Sequence, residues 1–395
     1  MRRFAYIALW LYVFSLPWDH MLDFGSGIGE ISRVFGIFSV LSTIGAVLIT
    51  RRFRKPAVQH YLAGGFLLLV IASWFWSMDQ EATARAIRTF LQTMAVMWQV
   101  WELAPRMERI RSLLFAYVLG GYVSCWATVQ GFRNALFLRR GLRFSAEGWN
   151  ANDLAVALAL GIPMAAYLGS TSHTRILRWT CWGYLVFAPA VVGLTSSRAG
   201  AVVAAVGLGC ALVLILKRRR NTLAAPVLAV AIAAVLITLV PWTAWDRIAT
   251  VTSSPDLNNR VPLWQRSLCI VAENPFRPVG AGASPAALGG SGFVAHNAFI
   301  SVLLEDGILA LMCFTALLVS SVQQARRLAG IERWLCYSVL LCWAIGALSL
   351  SWEQVRVTWF VIACITAAIY SQYLHLSVFL PPASKAIAEP VPNLH

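Results

Sequence analysis

Apolar runs long enough to cross about 30 Å of hydrocarbon recur along the whole chain, and this recurrence restricts the fold more than any other feature. They lie near residues 4–17, 31–50, 60–76, 86–104, 109–132, 151–169, 176–195, 199–217, 223–243, 295–320, 334–350 and 357–377. With 59% of its 395 residues hydrophobic and only 12% charged, the chain has more apolar surface than one soluble core can hide. The first run is short and follows Arg2 and Arg3 as a signal peptide would. Phe14-Ser15-Leu16-Pro17-Trp18 offers no small-residue cleavage site, so the run is read as a retained span. The expectation is an all-α integral membrane protein of about twelve transmembrane helices.

A net charge of +15 would ordinarily raise the question of nucleic acid. With the N-terminus inside, nineteen of the 32 basic residues fall in cytoplasmic segments, Arg51-Arg52-Phe53-Arg54-Lys55 and Lys217-Arg218-Arg219-Arg220 among them, against the acids Glu102, Glu108, Glu332 and Glu389. Bases and acids cancel on the other side, so the whole net charge is positive-inside signal and both termini are placed in the cytoplasm. Charge scattered through short loops does not make a nucleic-acid groove. Eight cysteines, of which Cys269 alone lies clearly in an outer loop, show no C-x-x-C or Cys/His cluster, so neither disulfides nor a zinc site is indicated.

Four stretches follow from this topology: transmembrane helices 1–9 over 1–243, a long periplasmic loop over 244–294, helices 10–12 over 295–377, and a short cytoplasmic tail over 378–395. Long ordered loops usually serve function. This one carries Asn258-Asn259-Arg260-Val261-Pro262-Leu263-Trp264, then Trp264, Leu268 and Val271 at helical spacing, as a short amphipathic helix resting on a membrane would. Asn259 suits its cap and Pro262 its first turn. A second outer loop, about 133–150, holds Arg133, Arg139, Arg140 and Arg143.

Every basic residue on the outer side is an arginine, the side chain suited to bidentate phosphate contacts, although a chain with 29 Arg and 3 Lys favours Arg everywhere. Arg198, in Thr195-Ser196-Ser197-Arg198-Ala199-Gly200, sits where Ser196 or Ser197 caps an outward-facing helix N-terminus. That place suits an anion, and equally an arginine reaching to the interface. Of six histidines only His20 and His296 lie outside, and His296 begins the tenth span where the long loop meets the membrane. A lone histidine there is an interfacial residue or a catalyst, and its helix N-terminus favours the neutral imidazole. Glu305 and Asp306, deeper in that span, must be paired or hydrated, an arginine being the expected partner. Asp79-Gln80-Glu81 is the one outer acid pair, and it reads as a solvated turn rather than a metal site.

In order along the chain, Ser197-Arg198-Ala199-Gly200, Arg260 with Leu263-Trp264, Asn274-Pro275-Phe276 through Val279-Gly280-Ala281-Gly282, and His296-Asn297-Ala298-Phe299 with Glu305-Asp306-Gly307-Ile308 resemble the O-antigen ligase and polymerase superfamily. Gly148-Trp149-Asn150-Ala151-Asn152 resembles the family's segment before the sixth span, so the likeness covers about residues 145–310. Where these proteins usually have a plain Pro-Leu-x-Gly run, this chain has Pro275-Phe276-Arg277-Pro278-Val279-Gly280. The resemblance implies transfer of an O-antigen glycan from undecaprenyl diphosphate to lipid A-core at the periplasmic face of the bacterial inner membrane, with no cofactor, metal or nucleotide. It implies His296 as general base and Arg198 and Arg260 on the donor diphosphate, with Trp264, Arg266, Asn297 and Glu305 as possible support. The expected partners are the two lipid-linked substrates and membrane lipids, not nucleic acid. A polymerase joining repeat units shares these motifs, whereas a transporter would show inverted repeats or broken helices, and neither is legible.

Overall fold

A computed structural model describes residues 1–22, 30–137, 143–146, 148–217, 260–275, 277–290 and 293–379, with the isolated positions 230, 234 and 240. Its regular elements are helices: α1 (Arg2–Ser15), α2 (Ile31–Thr50), α3 (Val58–Ala72), α4 (Gln80–Leu103), α5 (Met107–Phe137), α6 (Ala151–Thr171), α7 (Arg175–Leu194) and α8 (Arg198–Lys217). After the undescribed stretch come α9 (Arg260–Glu273), α10 (Ser284–Leu288), α11 (Ala298–Ala325), α12 (Gly330–Ala347) and α13 (Arg356–Phe379). A chain that must satisfy its backbone amides inside lipid has few other choices. Seven of these segments, within 31–50, 58–76, 107–134, 151–171, 175–194, 198–217 and 298–325, are long and apolar enough to cross a membrane. The chain is thus a multi-pass membrane protein by composition. The expected twelve spans exceed these seven, in part because α1 has 14 residues and because the expected ninth span, save positions 230, 234 and 240, lies outside the described residues.

Helix α6 is the centre of the bundle. It is buried along nearly its whole length, from Leu154 to Gly169, and packs on α5, α7, α8 and α12. Small residues set the spacing: a methyl added at Gly200 of α8 would stand 2.3 Å from Ala155 Cβ. Because Gly200 and Ala155 each lie near the start of their helix, α6 and α8 begin side by side, at what is called here the upper end.

Helix α11 is interrupted. Gly307 has φ +86° and ψ 179°, conformations an L side chain rarely adopts, and the helix changes course there. The carbonyls freed by the break are not left bare: Val279 N donates to Leu304 O at 3.0 Å and Gly280 N to Glu305 O at 2.9 Å. On its other edge the same loop segment is held by Met78 N to Val279 O at 2.9 Å, Ser73 Oγ accepting from Ala281 N at 3.0 Å, and Thr83 Oγ1 donating to Ala281 O at 2.8 Å. Gly280 is required at this crossing, since φ is +104° and a Cβ would lie 2.4 Å from Ser77 Oγ. The sequence reading, which finds no broken helix, is corrected here. An apolar run such as 298–325 looks continuous because the groups that complete the break lie some 25 residues earlier in the chain.

Candidate functional site

The upper end gathers three chain segments around the start of α11. Asn297 caps that helix, its Oδ1 accepting from Phe299 N at 3.0 Å and Ile300 N at 3.2 Å, while its Nδ2 donates to Leu348 O at 3.2 Å. One residue before His296, Ala295 O accepts from Trp264 Nε1 at 2.6 Å, which fastens α9 of the long loop to the membrane end of α11. His296 is held between these anchors with φ +48°, in the left-handed region. Its imidazole is half-buried, and it makes no hydrogen bond among the described residues.

Charges define its surroundings. Burial and the nearby Arg260 guanidinium hold His296 below the ordinary imidazole range, against the opposing carboxylate of Asp153. Burial likewise lowers Arg260, the first residue of α9, with Asp153 again opposing. Asp153 lies in the first turn of α6, which Asn150 caps through Asn152 N at 2.8 Å. Its Oδ1 accepts from Trp352 Nε1 at 2.7 Å. Trp352 belongs to the loop between α12 and α13, the same loop that binds Asn297 at Leu348 and whose Glu353 accepts from Ser301 Oγ at 2.9 Å. One loop therefore ties the start of α6 to the start of α11.

Arg198 opens α8 beside this site. Ser196 has φ +51°, and Ser197 Oγ accepts from Gly200 N at 3.2 Å, so Ser197 is the cap expected there. Arg143, from the segment before α6, joins them, its Nε donating to Thr195 O at 3.3 Å and its Nη2 to Asn152 Oδ1 at 2.6 Å. Arg143 from the segment before α6 and Arg198, the first residue of α8, thus meet the starts of α6 and α8, where the helix dipoles also point.

The remaining expected residues divide. Trp264 and Asn297 act as the anchors just described. Arg266 is exposed and lies against the turn at Gly289, where an added methyl would stand 3.4 Å from its Nη2. On α9, Val271 packs toward a small core with Val279, Ala283, Leu288 and Leu304, but Leu268 is 46% exposed and not part of it. Asn259 lies outside the described residues. Glu305 is not paired with an arginine: its Oε2 accepts from Gly282 N at 2.7 Å, and neither it nor Asp306 joins an ion pair among the described residues. A buried carboxylate can be satisfied by backbone N–H groups as well as by a cation, and a loop laid into a helix break supplies them. Asp79 caps α4 through Ala82 N at 2.9 Å, and the exposed Glu81 faces Arg85 at 3.5 Å.

Two groups escape a reading of motifs. Asp153 follows directly on Gly148-Trp149-Asn150-Ala151-Asn152, and an acid in a helix's first turn reads as a dipole partner; its neighbours His296 and Trp352 are 143 and 199 residues away. The second is a cluster around His20, which also acts on Asp153. His20 Nδ1 meets Glu30 Oε1, and its Nε2 is 3.4 Å from Asp19 Oδ1. Arg356 Nη1 lies 2.5 Å from Asp19 Oδ2, 2.8 Å from Glu30 Oε2 and 2.8 Å from Ser32 Oγ. Asp19, His20 and Glu30 place three ligand atoms within 4.8 Å of one another, and one guanidinium, that of Arg356, already pairs with both carboxylates. The ring of Trp149 packs edge-on against His20 at 4.7 Å, and Gly148, with φ +78°, passes so close that a Cβ would be 2.4 Å from His20 O.

Comparison with curated proteins finds none that matches. Residues 183–315 do match a family model, described as O-antigen ligase. The match runs from α7 through the long loop into α11, so it takes in Arg198, Arg260, Trp264, Arg266, His296, Asn297 and Glu305, while Asp153 and the His20 cluster lie outside it.

Proposed function

Starting from the O-antigen ligase family domain that residues 183–315 carry, we propose that this protein moves an O-antigen glycan from undecaprenyl diphosphate to lipid A-core at the periplasmic face of the inner membrane. The observation that carries the reading is His296: a half-buried imidazole kept neutral beside Arg260, at the seam where the long loop joins the membrane. In this scheme the acceptor hydroxyl gives its proton to His296 as its oxygen bonds to the anomeric carbon. The bond from that carbon to the diphosphate oxygen breaks, and the diphosphate leaves with the electron pair. A positioned base of this kind contributes about 10²–10⁴ in rate.

Arg260 and Arg198 receive the growing negative charge. Bidentate guanidinium contacts in a partly dry site are worth more than the same contacts in water. Asp79 and Glu81 are engaged as a cap and a surface pair, and Asp19 and Glu30 with Arg356, so charge stabilisation in this reading falls to arginine. The broken helix, one mark of transporters, does not favour transport, because its gap is filled by residues 279–280 rather than lining an open path.

The test is a deletion strain. Loss of a ligase leaves long lipid-linked polymer without an acceptor, whereas a strain that accumulates single repeat units identifies a polymerase. Purified protein given lipid-linked polymer and lipid A-core should form the joined product in excess EDTA; a requirement for Mg²⁺ or Mn²⁺ would overturn the arginine-only scheme.

A further inference from the structure

We propose that the groove between α2 and α4 at the upper end of the bundle is a binding site for one ester-linked anionic phospholipid, held by Arg33 at its phosphate and by Tyr12 at its ester. The groove measures about 240 Å³. One wall is α2, where Arg33, Gly36, Ile37 and Val40 recur at the spacing of one helix face; the other is α4, through Leu91 and Ala95, and Tyr12 of α1 lines it as well. Its head lies against the ion network of the upper end, since Ser32 and Arg356 also line it and Arg356 Nη1 reaches Ser32 Oγ at 2.8 Å. Lower down, Ser39 Oγ donates to Gln99 Oε1 and joins α2 to α4. From Ser32 to Leu41 the lining descends nine residues, about 14 Å at 1.5 Å per residue, which is close to the depth of one leaflet's hydrocarbon.

Chemistry decides what fills it. Helix α2 is the least buried of the seven apolar spans, and Ile37, Leu41 and Leu91 are exposed, so the groove opens toward hydrocarbon. An acyl chain suits such walls, where water would find few partners. Two polar groups in the lining are unengaged. The Arg33 guanidinium is half-buried and makes no hydrogen bond or ion pair among the described residues; Glu30, the acid three residues before it, is taken by His20 through Oε1 and by Arg356 through Oε2. Tyr12 is 2% exposed, a methyl added at Gly36 would stand 3.1 Å from its ring Cε2, and its hydroxyl has no hydrogen-bond partner among the described residues. Phosphate oxygens match the guanidinium fork. The ester carbonyl, which in a glycerophospholipid lies between phosphate and chain, accepts from the hydroxyl. Gly36, against which Tyr12 packs, follows Arg33 by one turn, the same order in which these groups follow one another along the lipid. A polyprenyl carrier has phosphate and chain but no ester, and would leave the Tyr12 hydroxyl unpaired at a cost. A headgroup of net negative charge also balances the one guanidinium that the ion network leaves over.

The experiment uses the full-length protein, stripped of lipid in detergent and titrated with dioleoyl phosphatidylglycerol, the first bound molecule being read by native mass spectrometry. This lipid should bind several-fold more tightly than phosphatidylcholine of the same chains or undecaprenyl phosphate. Arg33→Gln should weaken it about tenfold and Tyr12→Phe about threefold, as loss of a charged and of a neutral hydrogen bond does. Ile37→Trp, at an exposed position where the fold is little at risk, should fill the groove and abolish the preference. An ether-linked phosphatidylglycerol should bind the wild type about threefold more weakly than the ester-linked lipid, and Tyr12→Phe should bind the two alike. The ester-linked lipid should also raise the melting midpoint of the wild type and not that of Ile37→Trp. Undiminished binding in either Arg33→Gln or Ile37→Trp overturns the site. Tighter binding of undecaprenyl phosphate overturns the choice of ligand and makes the groove a carrier site, and equal binding of ester-linked and ether-linked lipid overturns the Tyr12 contact. His296→Ala should leave every one of these measurements unchanged, because the site does not rest on the transfer reading.

Discussion

His20 and His296 both act on Asp153 at the upper end of the bundle, yet their surroundings shift their ionisation in opposite directions. Burial would lower His20, but Glu30 on one ring nitrogen and Asp19 near the other raise it above the usual imidazole value. Burial and Arg260 lower His296, with Asp153 as the one opposing carboxylate. At neutral pH the first is biased toward a cation locked in an ion network, the second toward a neutral ring with lone pairs to offer. Residue type is the same in both places, and each has an arginine opposing protonation, Arg356 at His20 and Arg260 at His296; the number and closeness of carboxylates set them apart. The contrast also places His20 nearer the candidate chemistry than its early place in the sequence implies, so it is less remote as a control for His296 than elimination along the chain would make it.

The comparison breaks first on turnover. His296→Ala should lower single-turnover transfer by about 10²–10⁴ with donor binding nearly intact, and His20→Ala, measured per folded molecule, should change it only a few fold. Equal loss from both would erase the distinction. Next in size is stability: Arg356→Ala leaves Asp19, 4% exposed, with only the more distant His20 at 3.4 Å, and should cost about 3–5 kcal/mol in thermal or denaturant unfolding, as broken buried pairs do. Arg260→Ala, which ends no ion pair of that kind, should cost far less stability while weakening donor binding.

A third measurement sharpens the arginine roles. Arg260→Lys and Arg198→Lys should each lose most transfer, tenfold or more, because a point charge cannot reproduce the planar fork on a diphosphate. Near wild-type rates in both would mean that positive charge alone suffices. The smallest effect is the pH dependence of stability. Glu30 is held down to about 2 by His20, so its contribution is complete above its ordinary value of 4.5 and fades as pH falls toward 2. His20, raised above 6.5, contributes fully below that value and loses its share as pH rises through its folded-state ionisation. The cluster should therefore support the fold best between about pH 4.5 and 6.5. Glu30→Gln should flatten that window in melting curves, and an unchanged curve would remove Glu30 from the network.

The sequence makes the helices legible because hydropathy is local. The run 31–50 is α2, and the run 199–217 lacks only the first residue of α8. Capping is local too, so Ser197 and the turn before Arg198 could be read directly. The family likeness picks out His296 and Arg260, which the fold then brings within range of a shared carboxylate. What stays hidden depends on distant partners. Asp153 gains its place from a tryptophan near the other end of the chain, and Glu305 finds a backbone amide of the long loop where an arginine was expected. No pattern within a window of residues carries either fact.

The interruption at Gly307 bears on how such a protein is assembled. It lies nine residues into α11, about 14 Å along a helix rising 1.5 Å per residue and so near the midplane of a 30 Å core. A nascent chain that threads this segment into lipid would carry two bare carbonyls to the place where solvation is poorest. Their partners at Val279 and Gly280 have by then been synthesised, and Ser73, Ser77 and Thr83, which brace that strip from behind, earlier still. Translation order thus delivers the receptor before the segment that needs it. Biogenesis of α11 becomes the docking of a late piece onto a preassembled half, and a truncation that ends before Gly307 should insert cleanly, whereas one that deletes residues 278–282 should strand the later half of the molecule at the translocon.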